Sequence, residues 1–168
     1  MVEVTILATL LWLILLLLPW RPWSSKETLF LATENSTEIA NVSALIPARD
    51  ESHYIASTLN ALSKQGNLQK IIVVDDQSSD GTDDIVKSLN LDNVLLINGV
   101  NPPKGWTGKL WALEQGLTQI SSKFLLLLDA DIRLNDGALN ALLMLQKERD
   151  YDLVSVMATL HVKSLWEK

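Results

Sequence analysis

The run KIIVVDDQSSDGT, Lys70 to Thr82, decides the fold. Ile71 to Val74 is apolar and β-branched at every position. A strand without polar alternation is buried on both faces, which marks a parallel sheet covered by helices. At Asp75 the chain changes to acids, serines and a glycine, which is turn chemistry. Asp80 to Leu89 then reads as a short helix with acids in its first turn, where the helix dipole favours negative charge. A buried strand passing through a polar turn into a helix is half of a β–α–β unit.

The same alternation extends on both sides. Val42 to Pro47 reads as a strand, and Ser52 to Lys64 as a helix with Ile55, Leu59 and Leu62 on one face. Downstream, Val94 to Ile97 is a strand, and Lys109 to Ile120 a helix with Leu110, Leu113, Leu117 and Ile120 in phase. Phe124 to Leu128 (FLLLL) is a strand apolar throughout. Asn135 can cap a helix running to about Lys147, and Leu153 to Val156 begins a fifth strand. Alternating strands and helices predict a doubly wound α/β architecture. In such sheets ligands bind outside the carboxyl ends of the strands.

Val4 to Trp20 carries no charge and is dominated by Leu and Ile. As a helix it rises about 26 Å, slightly less than a hydrocarbon core of about 30 Å. Trp20, Arg21 and Trp23 at its end resemble an interfacial belt. Glu3 before the run, and no small-residue cleavage site after it, argue against a signal peptide. The expectation is a transmembrane anchor over 1–23, a linker over 24–41 and a domain over 42–168. Arg21 and Lys26 place that domain on the cytoplasmic side of the cytoplasmic membrane, with a single-pass anchor. The net charge is −6 and the pI about 4.8, so nucleic acid is not an expected partner. No cysteine is present, which excludes disulfides, thiolate metal sites and cysteine nucleophiles.

The predicted strand ends are acidic. The first ends in Pro47-Ala48-Arg49-Asp50-Glu51, the second in Asp75-Asp76, and the fourth in Asp129-Ala130-Asp131. Carboxylates gathered in one cleft repel one another unless a cation joins them. A hard divalent ion carried in with a diphosphate suits oxygen ligands of this kind. Asp80 and Asp83 read as turn and cap residues, and Asp50 as either a cap or a ligand. Gly108-Lys109 at a helix start can offer backbone N–H groups and an ammonium to phosphate, without the spacing of a Walker A loop. Trp106 and Trp111 read as packing residues, and His53 and His161 as structural.

Taken in order, IPARDE (Ile46–Glu51), VVDDQSSDGT (Val73–Thr82), Gly108-Lys109 with Ala112 and Gly116, and Asp129-Ala130-Asp131 resemble the motifs of family 2 glycosyltransferases. These have the GT-A fold, a Rossmann-like nucleotide-diphospho-sugar transferase architecture. GWTGKLWALEQG (Gly105–Gly116) and Asp152 to Trp166 resemble its hopene-associated branch. The resemblance implies inverting transfer of a sugar from a nucleotide-diphospho-sugar donor, with Mg or Mn, to a lipid-linked or membrane-proximal acceptor. It implies that Pro47 and Glu51 flank the base and ribose and that Asp75 and Asp76 address the base. Lys109 then lies near the donor, Asp129 faces the ribose and Asp131 binds the metal in a DXD motif. The family's later general base has no counterpart before Lys168. The expectation is therefore an N-terminal, donor-binding half that transfers sugar poorly by itself.

Two other readings fit parts of the pattern. A non-catalytic nucleotide-sugar-binding module would differ only in turnover. A phospho-receiver domain also carries an acidic pair and a later Asp. It puts that pair after its first strand, however, and needs a lysine further along than Lys163.

Overall fold

The computed structural model describes residues 2–18, 29 and 37–158. Helix α1 is Val2–Leu17, and a 3-10 turn, Thr37–Asn41, leads into strand β1, Val42–Ala48. Then follow α2 (Ile55–Ser63), β2 (Lys70–Asp75), α3 (Thr82–Ser88), β3 (Val94–Asn98), α4 (Gly108–Leu117), β4 (Phe124–Leu127) and α5 (Ala138–Arg149). The four strands form one parallel sheet in the order β3-β2-β1-β4. That order is the Rossmann one, with its switch point between β1 and β4. The receiver order places the first strand between the second and third, so that reading is excluded.

Strand periodicity divides the core. Ala44, Ile46, Ile71 and Val73 face one side and pack with Ile55, Leu59 and Leu62 of α2, Val86 of α3, and Leu139 and Leu143 of α5. Leu45, Ile72 and Val74 face the other side and meet Ala112 of α4. These strand residues are all fully buried, and each of the Leu, Ile and Val side chains contributes about 1.5–3 kcal/mol.

Four expectations from the sequence change. Only half of the stripe expected on α4 is used: Leu113 and Ile120 pack against the core, whereas Leu110 and Leu117 are exposed and Ala112 and Gly116 are buried. A Cβ on Gly116 would collide with the Leu45 side chain, so small residues on this face let the helix lie close to β1 and β2. Strand β4 is buried on one side only: Leu125 and Leu127, in register with Ser43 and Leu45, are exposed on the α4 side. It is an edge strand among the described residues, and α4 sits over β1 and β2 rather than over it. Residues Leu153 to Val156 form no strand, since they enter no hydrogen-bonded ladder. Nor does Asn135 cap α5 with its side chain; its carbonyl accepts the Ala138 N–H, and Gly137 in the left-handed region starts the helix.

The anchor prediction is also corrected. Helix α1 has 16 residues, a rise of about 24 Å against the roughly 30 Å needed. Among the described residues no helix is long and apolar enough to cross a membrane. Pro19 disfavours helical backbone at Leu18, the residue that follows the last of α1. The single-pass cytoplasmic-membrane localisation built on that span falls with it. Trp20, Arg21, Trp23 and Lys26, most of the linker, and His161, Lys163 and Trp166 lie outside the described residues.

Candidate donor-binding site

At the carboxyl ends of the strands, beside the switch point, lies a cleft of about 420 Å³. Strand β1 and its loop contribute Pro47, Ala48, Arg49 and Glu51, β2 contributes Asp76, and the turn after β4 contributes Asp129, Ala130 and Asp131. The first turn of α4 closes the cleft with Gly108 and Lys109. A smaller cleft, about 350 Å³, lies between Ser63, Leu68 and Asn93 at the opposite ends of β2 and β3. It gathers one acid, Asp92, and no cation. The topology and the chemistry both favour the first.

Six of the seven residues singled out from sequence line this cleft: Pro47, Glu51, Asp76, Lys109, Asp129 and Asp131. Asp75 is buried beside it, the Ser78 N–H reaching its Oδ2 at 3.4 Å. Asp75 and Asp76 each keep a buried Oδ1 without a hydrogen-bond partner. An unpaired buried carboxylate oxygen is costly, and of these two residues only Asp76 lines the cleft.

Arg49 is the lining residue that motif reading left without a role. Its Nη1 stands 3.5 Å from Asp76 Oδ2, and the guanidinium is mostly exposed. Its being a cation within the first strand's terminal run was the signal available. On the opposite wall Lys109 Nζ donates to Asp129 Oδ1 at 2.7 Å. Gly108 is required between these pairs, because a Cβ there would lie 2.5 Å from Asp76 Oδ2. Thr107 makes no side-chain cap, and the first two residues of α4, Gly108 and Lys109, line the cleft.

The carboxylates interact through space. Burial pushes the Glu51 carboxyl up, and Asp131, Asp80, Asp129 and Asp50 push it further. Asp131 is exposed and makes no ion pair among the described residues. No three acidic or histidine side chains among the described residues form a metal cage. The donor set nevertheless fits a divalent cation that arrives with a diphosphate. Such ions commonly take one or two carboxylates from the protein and the remainder from phosphate and water.

The other acids are engaged within the protein rather than in the cleft. Asp83 pairs with Lys87 at 2.6 Å along α3. Asp50 accepts the Ser79 N–H at 2.8 Å and does not line the cleft. Trp106 and Trp111 pack edge to face, 5.3 Å between ring centroids.

A family model described as Glycosyl transferase family 2 matches residues 43–167. The chain is 32% identical over 123 residues to a 4,4'-diaponeurosporenoate glycosyltransferase of Staphylococcus haemolyticus, covering 73% of this chain and 32% of that protein. Over 103 residues it is 36% identical to a probable glycosyltransferase, YdaM, of Bacillus subtilis, covering 58% of this chain and 24% of that one. The chain thus spans about a quarter to a third of these relatives. Among solved structures, S. aureus TarS 1-349 superposes with a TM-score of 0.54 at 28% identity, covering 65% of this chain and 33% of TarS. The same TarS fragment has also been crystallised with UDP-GlcNAc.

Proposed function

The chain belongs to glycosyl transferase family 2, and from that membership we propose that it binds a nucleotide-diphospho-sugar and serves its transfer to an acceptor. One observation carries the reading. A single cleft at the switch point joins buried Asp76, with an unpaired oxygen, to Lys109, Asp129 and Asp131. In this reading the base lies against Pro47 and Glu51, and an N–H on its edge donates to the Asp75–Asp76 pair. Asp129 accepts from a ribose hydroxyl. Lys109 and the first N–H groups of α4 face the diphosphate.

Mg or Mn is the proposed cofactor, held by Asp131 together with the diphosphate. When bound, it stabilises charge developing on the leaving diphosphate. The chain's own contribution is to orient the donor between the two acidic walls. UDP-GlcNAc bound to TarS, a family relative by fold and sequence, supports a nucleotide-sugar donor. The proposed acceptor is a lipid, supported by the relative named for 4,4'-diaponeurosporenoate and by the hopene-associated pattern around Gly105 to Gly116. No residue is assigned as general base.

Calorimetry of the chain with UDP, with and without Mn2+, tests donor binding. Cation-enhanced binding is expected, and no heat with either UDP or GDP would overturn the reading. Incubation with labelled nucleotide-sugar and a lipid extract then separates transfer from binding alone.

A further inference from the structure

The loop after β1 is suspended from the loop after β2 by three consecutive backbone amides. The Asp50 N–H donates to Ser78 Oγ at 2.9 Å, the Glu51 N–H to Thr82 Oγ1 at 2.9 Å, and the Ser52 N–H to Asp80 Oδ2 at 2.9 Å. Each acceptor is a side-chain oxygen of the other loop, so the main chain around Glu51 is set by residues some thirty positions downstream. Local turn chemistry accounts only for the Thr82 N–H, which Asp80 Oδ1 accepts at 3.1 Å. It does not require the bonds to Glu51 and Ser52.

The chemistry of Thr82 makes this a relay. The side chain is fully buried and its hydroxyl has one proton. That proton goes to Asp80 Oδ1 at 2.6 Å, which orients a lone pair toward the Glu51 N–H. Asp80 thus fixes Thr82 with one oxygen and Ser52 with the other. These hydrogen bonds, Thr82's hydroxyl first, hold its carboxyl well below the usual range. The two loops so joined each hold a non-glycine residue in left-handed backbone, Asp50 (φ 54°) and Gln77 (φ 62°).

We infer that Thr82, oriented by Asp80, is a positioning residue that sets Glu51 in the wall of the donor cleft. The inference rests on the reading of that cleft as a donor site. Glu51 lines it, whereas Thr82 and Asp80 do not. Their influence on the donor therefore passes through Glu51.

The test pairs one readout independent of ligand with one that depends on it. Amide hydrogen exchange at Glu51, followed by NMR, is expected to be faster by about tenfold in Thr82→Val, the cost of one hydrogen bond. Thr82→Ser, which keeps the hydroxyl, should restore protection. For UDP affinity, the double variant Thr82→Val/Glu51→Ala should bind no more weakly than Glu51→Ala alone, because both changes act on one contact. Unchanged Glu51 exchange in Thr82→Val, or additive losses of UDP affinity, would overturn the inference. Faster exchange in a chain that binds no nucleotide would instead sink the donor reading and leave the relay standing. If Thr82→Val does not fold, Asp80→Ala makes the same measurements. It keeps the buried hydroxyl but removes its orienting acceptor, so unchanged Glu51 exchange there would also overturn the inference.

Discussion

Lys109 Nζ lies 2.7 Å from Asp129 Oδ1, tying the first turn of α4 to the turn after β4 across the mouth of the cleft. Both side chains are more than half exposed, 60% and 55%. Such a pair contributes at most about 1 kcal/mol to stability. Its placement matters more than its strength, because the ammonium already faces the carboxylate that closes the other side of the site.

Lys109→Ala is therefore expected to leave the melting temperature nearly unchanged while weakening UDP binding. Calorimetry beside a thermal melt separates the two. A large loss of stability with unaltered affinity would show that the pair serves the fold alone.

Gly108→Ala and Gly116→Ala should both cost stability, about 1–3 kcal/mol each, because α4 sits too close to its neighbours for a methyl group. The added carbon meets Asp76 Oδ2 at position 108 and the Leu45 and Val74 side chains at position 116. Only Gly108→Ala should also reduce nucleotide affinity, since only it displaces a cleft carboxylate. Urea titrations and UDP calorimetry on both variants check the contrast.

Glu51 titrates above the usual glutamate range because burial and four neighbouring acids disfavour its charge. A raised folded value means that this group's contribution is full below the ordinary pKa, and is lost as pH rises through the folded one. Glu51→Gln should therefore be more stable than the parent at neutral pH, and the advantage should vanish in acid. Asp80 has the opposite sign, losing its contribution as pH falls, and it is present in both proteins. Denaturation midpoints across pH measure the difference directly. A variant less stable than the parent at neutral pH would contradict the electrostatic account.

Asp131→Ala should abolish the gain in UDP affinity that Mn2+ confers and leave the far-ultraviolet circular dichroism unchanged. The same gain in the variant would remove Asp131 from the cation's ligands.

What the sequence determined by itself is the layered α/β arrangement and the acids at its strand ends. The continuous β-branched run Ile71 to Val74 is buried between two layers, and acids follow the apolar runs of β2 and β4, Asp75 and Asp76 after one and Asp129 and Asp131 after the other. Six of the seven residues singled out through the family resemblance line one cleft, five from the strand ends and Lys109 from the first turn of α4. Periodicity was less informative for α4, where Leu110 and Leu117 promised a buried stripe but Gly108, Ala112 and Gly116 lie on the close-packed side. Backbone proximity decides that face, and apolar spacing does not report it. Pairing was likewise invisible: Leu153 to Val156 has strand composition but no partner strand among the described residues, and a strand exists only through its ladder. Tertiary structure alone decided the contacts between distant side chains. Arg49 meets Asp76, Lys109 meets Asp129, and Thr82 receives the Glu51 amide, because a β3-β2-β1-β4 sheet brings those loops to one end. No local pattern records a hydrogen bond between residues thirty positions apart, since its geometry depends on how two strands lie side by side.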